Sequence, residues 1–341
     1  MIDFKNMPRV ATGVIKAKLF GFHTPLKITN YVTYRCNLAC QFCGRRNLVA
    51  SEMTTAEIKK CMDEFKKMGT IFWGFNGGEP LLRQDIGELI DYAKKLKFKC
   101  SMVTNGTLIP KRIEQIKNLD MVIVSLDGPE PIHDAIRGPG NFEKTIKGIE
   151  ILIEKKILVY VSSVINKTNL DCLDDIFKIS EKYGTYLEFQ PVIVHGGDVE
   201  GRAVNYFPEK EKFRAAIDWL IVQKKKGRNL TNSLSYLEQL KHYPDSPISL
   251  DCWASYLMCS ITPDGFILPC SPMLEEYKNF QSGLKVGFKK AFYSLPNFKK
   301  CRSCYFSCYS EYNCALNSLP KTGLKFLKNS LFGRGQKWFW Q

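Results

Sequence analysis

Three cysteines, Cys36, Cys40 and Cys43, stand in the stretch CNLACQFC (36–43), directly after an apolar strand pattern. Thiolates are the soft ligands of iron-sulfur clusters and of structural zinc, and both ordinarily take four ligands per site. A compact trio therefore borrows a fourth ligand from elsewhere or leaves one metal position open for chemistry. A [4Fe-4S] cube held by three thiolates has one iron free to bind a substrate or cofactor. The loop spacing, without CxxC pairs, and the lack of a His at zinc-finger distance weigh against zinc.

Thirteen cysteines in 341 residues need a reason. The opening MIDFKNMPRVATGVIKAKLFGF lacks the apolar h-region and small-residue cleavage site of a secretory signal, so the chain is expected to stay in the cytosol. Disulfides are rare there, and seven cysteines crowd between Cys252 and Cys314, so metal or cluster ligation is the expected use. Cys61, Cys100 and Cys172 sit singly inside helix or strand patterns and read as core fillers. Hydrophobic content of 45% with 24% charge is ordinary for a globular protein, and no apolar run approaches the roughly 20 residues that span a bilayer. The net charge of +15 points to an acidic partner such as nucleic acid, anionic lipid or an acidic peptide, although lysines that solubilise helix faces account for most of it.

Such ligands need a scaffold. Apolar, β-branched runs at 28–34, 70–75, 98–104, 121–126, 157–164 and 186–192 alternate with helical patterns, the pattern of a parallel sheet. Thr54-Thr55-Ala56-Glu57 is a capping box opening a helix through Lys67, and further helices are expected over 85–96, 141–155 and 168–182. Right-handed crossovers curl such units into a barrel or part of one, so the fold class is α/β, a partial (β/α)6 TIM-like barrel. Ligands collect at the C-terminal strand ends of such folds. There lie CNLACQFC, NGGEP (76–80), TNG (104–106) and SLDGP (125–129), each a turn former taken alone but together the outline of a site.

CNLACQFC, including the aromatic Phe42 before its last cysteine, resembles the CxxxCxxC cluster motif of radical S-adenosylmethionine (SAM) enzymes. In that family the amino and carboxylate groups of SAM chelate the open iron. Reduction of the cube then splits SAM to methionine and a 5′-deoxyadenosyl radical that abstracts a substrate hydrogen. Gly77, Gly78, Glu79 and Pro80 resemble the family's SAM-amino motif, and Asn105 and Ser125 fall where ribose or carboxylate contacts are usual. Arg137, in HDAIRG, falls where related enzymes place a guanidinium near the SAM carboxylate, and the Phe42 backbone and the strand around Val192 would flank adenine.

The C-terminal cysteines resemble the SPASM extension, which binds auxiliary [4Fe-4S] clusters in many peptide-modifying members. Cys252, Cys259 and GFILPC, ending at Cys270, match its first half, CX9-15GX4C. The second half reads Cys301-X2-Cys304-X3-Cys308-X5-Cys314, where the family has CX2CX5CX3C and a further cysteine. Seven thiolates fill one four-ligand cube and leave three. One complete auxiliary cluster is expected, while a second cluster, and a zinc-stapled knuckle over 301–314, stay open. Ser271 stands where the sulfatase-maturing branch has a functional Asp, so the resemblance implies the reaction class and not that reaction.

The expected organisation is an amphipathic segment (1–27), a radical SAM core (28–192), a helical bridge (193–247), a small cysteine-rich iron-sulfur domain (248–318) and a tail (319–341). The tail carries five basic residues, no acid and a Trp338-Phe339-Trp340 ending, a composition that suits an anionic membrane surface or an amphipathic substrate. Val10, Val14, Ile15, Leu19 and Phe20 with Lys16 and Lys18 give a second such stretch; the plainer alternative is that both ends pack on the barrel. No RNA-binding module is visible, so no nucleic acid is expected. The resemblance implies a cytoplasmic enzyme acting on a peptide or protein, fed electrons by a flavodoxin or ferredoxin, with peripheral membrane contact open. Its rivals are the same chemistry on a lipid or membrane-associated metabolite, and a non-catalytic iron-sulfur protein that transfers electrons or binds a partner.

Overall fold

Six consecutive strands run parallel: β1 (Lys27–Thr33), β2 (Phe72–Gly77), β3 (Lys99–Thr104), β4 (Met121–Ser125), β5 (Leu158–Ile165) and β6 (Tyr186–Pro191). The computed structural model describes residues 6–193, 202–246, 250–301 and 304–318, and most of the HGGDVEGR loop (195–202) and the whole 319–341 tail lie outside them. Each strand neighbours the next in sequence, as right-handed βα crossovers require, giving the expected α/β partial barrel. Helices α1 (Met7–Phe20), α2 (Thr55–Lys67), α3 (Ile86–Lys95), α4 (Ile109–Ile116), α5 (Glu130–Arg137), α6 (Asn141–Glu154) and α7 (Leu173–Lys182) precede or connect them. The capping box forms: Thr54 Oγ1 accepts from the Glu57 N–H (3.3 Å), and Glu57 Oε2 accepts from the Thr54 N–H (2.7 Å). Helices α4 and α5 went unread in the sequence because each carries Pro in its first turn directly behind a glycine turn, where only the turn is legible.

The two sheet faces differ in chemistry. Trp73, Phe75, Met102, Val122, Val124, Val161, Leu187 and Phe189 are fully or almost fully buried under the helices. The alternate positions, among them Thr29, Ser101, Tyr160, Ser162 and Glu188, face the barrel lumen and are largely polar.

The C-terminal region joins this sheet. Strand β7 (Met258–Ile261) pairs in parallel with β1, from Lys27↔Met258 to Asn30↔Ile261, and β8 (Ile267–Leu268) pairs antiparallel to β7. After α8 (Lys210–Lys225), α9 (Leu234–Leu240), α10 (Gly283–Val286) and α11 (Phe288–Tyr293), the last described helix is α12 (Ser307–Asn317). It bridges the two ends of the six-stranded arc. Ser307 Oγ donates to Gln190 Oε1 on β6 (3.4 Å), while Lys27 Nζ on β1 donates to the Cys308 carbonyl (3.1 Å) and lies over the Tyr312 ring. Helix α1 packs Val14 and Ala17 against Trp253, Tyr256 and Leu257, and leaves Ile15, Leu19 and Phe20 exposed.

Helix α6 approaches the loop after β3 closely enough for Thr145 Oγ1 to donate to the Asn105 carbonyl (2.9 Å). A Cβ on Gly148 would stand 2.6 Å from the Gly106 carbonyl oxygen, which is backbone and cannot rotate away. Alanine is the better helix former by about 1 kcal/mol. Gly148→Ala is nevertheless expected to lose about 1–3 kcal/mol in a urea melt of the cluster-free chain, because overpacking outweighs propensity.

Candidate cluster and cofactor site

The cysteine loop is seated on the end of β2 by backbone alone. The Gly78 N–H donates to the Thr33 carbonyl (2.9 Å) and the Glu79 N–H to that of Arg35 (2.8 Å). A Cβ on Gly77 would lie 2.4 Å from Thr33 O, and one on Gly78 2.3 Å from Arg35 O and 2.4 Å from Tyr34 O. The glycine pair thus lets β2 touch the chain just ahead of Cys36. Two more loops clamp the trio. Asn105 Nδ2 donates to Asn37 Oδ1 (2.9 Å), and Asn37 Nδ2 donates to Thr107 Oγ1 (2.9 Å). On the other side the Gln41 N–H donates to the Ile136 carbonyl in the last turn of α5 (3.0 Å). Asn37 and Thr107 went unread because either residue is an ordinary turn former until its partner is known.

Glu79 is fully buried and ties β2 to β3. Its carboxyl accepts from Thr104 Oγ1 (2.8 Å), the Asn105 N–H (2.8 Å) and the Leu81 N–H (3.1 Å). Burial raises its pKa to about 7, against the pull of those donors and of Arg137. Pro80 opens a 3-10 turn, Pro80–Leu82, behind it.

Arg137 ends α5 with its side chain buried, Nε donating to Asp127 Oδ2 (2.7 Å) and Nη1 reaching Cys40 Sγ (3.8 Å). Burial opposes its charge, but Asp127 and the Cys40 and Cys43 sulfurs more than offset this and raise its pKa. Asp127, unread in the sequence as part of a turn, is fully buried and also accepts from the Val164 N–H (2.8 Å). Burial pushes the Cys40 thiol up to about 11 despite Arg137, and raises Cys36 although the Leu38 N–H points at its sulfur (3.4 Å). Among the described residues, no three His, Cys, Asp or Glu side chains stand together in metal-holding geometry. The donor set still fits an iron-sulfur group: soft thiols on a clamped loop, with an N–H and a guanidinium aimed at two of the sulfurs, both of which stabilise the thiolates that iron requires.

An open cleft beside the trio is lined by Phe42, Cys43, Arg45, Val164, Val192 and Phe306 among others, so the two segments expected to flank adenine share one cavity. Ser125 is half-buried at the end of β4, and register aligns it with Ser162 on β5 and Glu188 on β6, one polar row across the lumen. Burial raises the Glu188 pKa, opposed by the Ser162 hydroxyl and by Lys27. Tyr160 and Tyr186 stack one layer below (5.0 Å between centroids).

The seven C-terminal cysteines divide. Burial holds Cys270 well above the ordinary thiol range and Cys304 likewise; Cys304, Cys252 and Cys301 are electrostatic neighbours of Cys270, and Cys252 and Cys308 of Cys304. Cys259 sits apart. It pairs with Ile28 across β7–β1 on the helix-covered face, fully buried, and neighbours Cys61. Cys308 adjoins Lys27 and Glu188, and Cys314 is buried near Ser235 and Glu311. Ser271 is buried, its N–H donating to Tyr309 (3.2 Å) and its hydroxyl accepting from Tyr31 (2.5 Å).

A parallel half-barrel with a thiol loop over the end of its first strand defines a class, and comparisons with known proteins agree with it. The Radical SAM superfamily profile matches residues 30–179. The chain is 32% identical over 263 residues to "Mycofactocin maturase MftC" of Mycolicibacterium smegmatis (73% of this chain, 65% of the relative) and 31% over 295 residues to that of Mycobacterium tuberculosis (83% and 74%). It is 37% identical over 161 residues to "AdoMet-dependent heme synthase" of Nitratidesulfovibrio vulgaris (45% and 44%). The chain thus spans just under two thirds of the first of these and less than half of the last. Streptococcus suis SuiB, solved with S-adenosylmethionine, shares the fold at a TM-score of 0.65 and 18% identity, covering 84% of this chain and 70% of SuiB. The chain belongs to the radical SAM superfamily, whose cofactors are a [4Fe-4S] cluster and SAM.

The Glu79 shift carries a sign. A carboxyl whose pKa rises on folding contributes stability that is complete below its unfolded value, 4.5, and lost as pH climbs through about 7. The cluster-free chain is expected to lose about 3 kcal/mol across that window relative to Glu79→Gln. Urea melts of both proteins at pH 4.5 and 7.5 measure it.

Proposed function

We propose that this chain is a radical SAM enzyme that modifies a peptide or protein substrate. Cys36, Cys40 and Cys43 would ligate the cluster, with SAM in the adjoining cleft between Phe42 and Val192. When bound, that pair supplies a 5′-deoxyadenosyl radical for hydrogen abstraction. The observation that carries the reading is the cleft itself, which opens between the clamped thiol loop and the C-terminal ends of β5 and β6. Arg137 holds a fixed cation against Cys40 of the thiol loop, suited to a carboxylate. The backbone carbonyls of the Gly77–Pro80 turn suit an ammonium. Asn105 is engaged with Asn37 and Thr107, so its part is to hold the loop rather than to touch SAM.

The substrate's reacting residue would enter the lumen at the row Ser125, Ser162 and Glu188, where a half-buried carboxyl bonded by the Ser162 hydroxyl can accept a further hydrogen-bond donor. A peptide is favoured because SuiB has also been solved "bound to precursor peptide SuiA" on this fold, at a TM-score of 0.64, and because the MftC relatives are named maturases. Cys252, Cys270, Cys301 and Cys304 are the four thiols we assign to an auxiliary cluster, with Cys259, Cys308 and Cys314 outside it. A small low-potential electron carrier, a flavodoxin or ferredoxin, would supply the reducing electron. After anaerobic reconstitution, about eight irons per chain are expected for two cubes. The dithionite-reduced protein should release 5′-deoxyadenosine, and Cys40→Ala should not. Glu188→Gln should still release it but lose turnover of a peptide substrate. Product from Cys40→Ala would overturn the assignment of the trio.

A second feature favours an enzyme that touches membranes. No helix among the described residues is long and apolar enough to cross a bilayer. Yet Ile15, Leu19, Phe20 and Phe22 stand 52–72% exposed at the end of a helix without an acidic residue, beside Lys16 and Lys18. An apolar ridge flanked by cations fits an anionic lipid interface. Flotation with phosphatidylglycerol vesicles is expected to carry the wild-type chain, and Leu19→Glu with Phe20→Glu to abolish this; equal flotation of the two would refute the contact.

A further inference from the structure

We infer that Asp127 is a positioning residue for the cluster cation, holding Arg137 as a buried ion pair against Cys40 and thereby setting how readily the cluster accepts an electron. The inference rests on the assignment of Cys36, Cys40 and Cys43 as cluster ligands.

The geometry is unusually constrained for a pair of charges. Asp127 is fully buried and Arg137 is 7% exposed, so neither is solvated as a surface pair would be. Both Asp127 oxygens are engaged, Oδ2 by Arg137 Nε (2.7 Å) and Oδ1 by the Val164 N–H (2.8 Å). Its backbone is fixed as well: the carbonyl accepts from Asn169 Nδ2 (2.9 Å) and the N–H donates to His133 Nδ1 (3.2 Å). On the arginine side, the Arg137 carbonyl accepts from Asn141 Nδ2 (3.0 Å), and Asp134 caps the following turn through the N–H groups of Gly140, Asn141 and Phe142. The guanidinium therefore has little freedom, and its Nη1 stands 3.8 Å from Cys40 Sγ. A structural ion pair needs no such aim at a cysteine.

The charges facing the pair can be enumerated. Cys36, Cys40 and Cys43 lie on the loop facing Arg137, Cys172 just ahead of α7 faces Asp127, Glu79 in the turn after β2 is within electrostatic reach of Arg137, and Asp134 is on the same helix. His133 contributes no charge near neutrality, because burial and Arg137 push its pKa down to about 4. Reducing a cluster adds one electron, so a cation held against a ligand sulfur favours the reduced form and a nearby anion opposes it. Arg137 supplies the first effect and Asp127 limits it. The signs for the two partners are therefore opposite.

The test is a redox titration, without SAM, of reconstituted full-length protein, followed by electron paramagnetic resonance on the signal that SAM perturbs in the wild type and that Cys40→Ala lacks. That signal isolates the cluster of the trio from any auxiliary one. Asp127→Asn is expected to make it easier to reduce, raising the reduced-to-oxidised ratio at a fixed potential about tenfold, which is about 59 mV for one electron. Arg137→Gln is expected to lower the ratio by a similar factor, and the double variant to return toward the wild type. An unmoved potential in both single variants, or a shift of Asp127→Asn toward harder reduction, overturns the inference. Should Asp127→Asn fail to hold the cluster, Asp127→Glu decides in its place: it keeps the charge but displaces the guanidinium, so a shift to harder reduction supports the inference and an unmoved potential overturns it. A wild-type protein with no SAM-responsive signal would instead refute the cluster assignment, a different failure.

Discussion

The site depends on one steric constraint, the contact between the Gly77-Gly78 backbone and the carbonyls of Thr33, Tyr34 and Arg35. No side chain fits at either glycine, since a Cβ would enter within 2.4 Å of a backbone oxygen that cannot yield. With the side chains absent, two hydrogen bonds carry β2 onto the chain that leads into Cys36. The cysteine loop thereby inherits the rigidity of a central parallel strand pair instead of the mobility of a surface loop. The two glycines, read by resemblance as a cofactor motif, have a physical requirement that precedes any cofactor.

Around that contact, buried polar groups hold the remaining loops. Glu79 gathers donors from its own turn and from β3; Asp127 gathers them from β5 and α5. Each leads through one further step to the trio: Glu79 through Asn105 and Asn37, Asp127 through Arg137 and Cys40. A buried carboxyl is costly unless fully satisfied. Two such groups at strand ends make the loop positions depend on one another, so losing either would release more than its own bonds.

Much of this was legible in the sequence, for reasons specific to each part. The six strands and the α2 capping box declare themselves through local periodicity and spacing, and the structure has them in place. The trio is legible because three soft ligands on one loop have few uses. What was not legible depends on contacts distant in sequence. Nothing in Asp127, one residue of a DGP turn, reveals that it faces an arginine ten positions on, and nothing in Asn37 reveals Thr107. The C-terminal cysteines are the clearest case. Spacing counts seven thiols, but β7 joining β1 decides which face each occupies, and that pairing puts Cys259 among the apolar side chains beneath α2.

The same pairing explains how the cysteine-rich region bears on the lumen. Six strands do not close a barrel, and the gap between β1 and β6 would expose the polar inner row to water. Helix α12 fills it, with Ser307 bonded to β6 and Cys308 and Tyr312 meeting Lys27 on β1. Glu311, on that helix, is buried and accepts from the Ser233 N–H at the start of α9, which fixes the outer side. Cys304, three residues ahead of α12, neighbours Cys252 and Cys270, so the thiols assigned to the auxiliary cluster and the wall of the lumen share one short segment of chain. Any metal bound at those thiols would order the segment from which α12 starts, and with it the side chains that complete the lumen. The second cysteine region thus reaches the lumen through α12, and Phe306 at its start shares the cleft with Cys43.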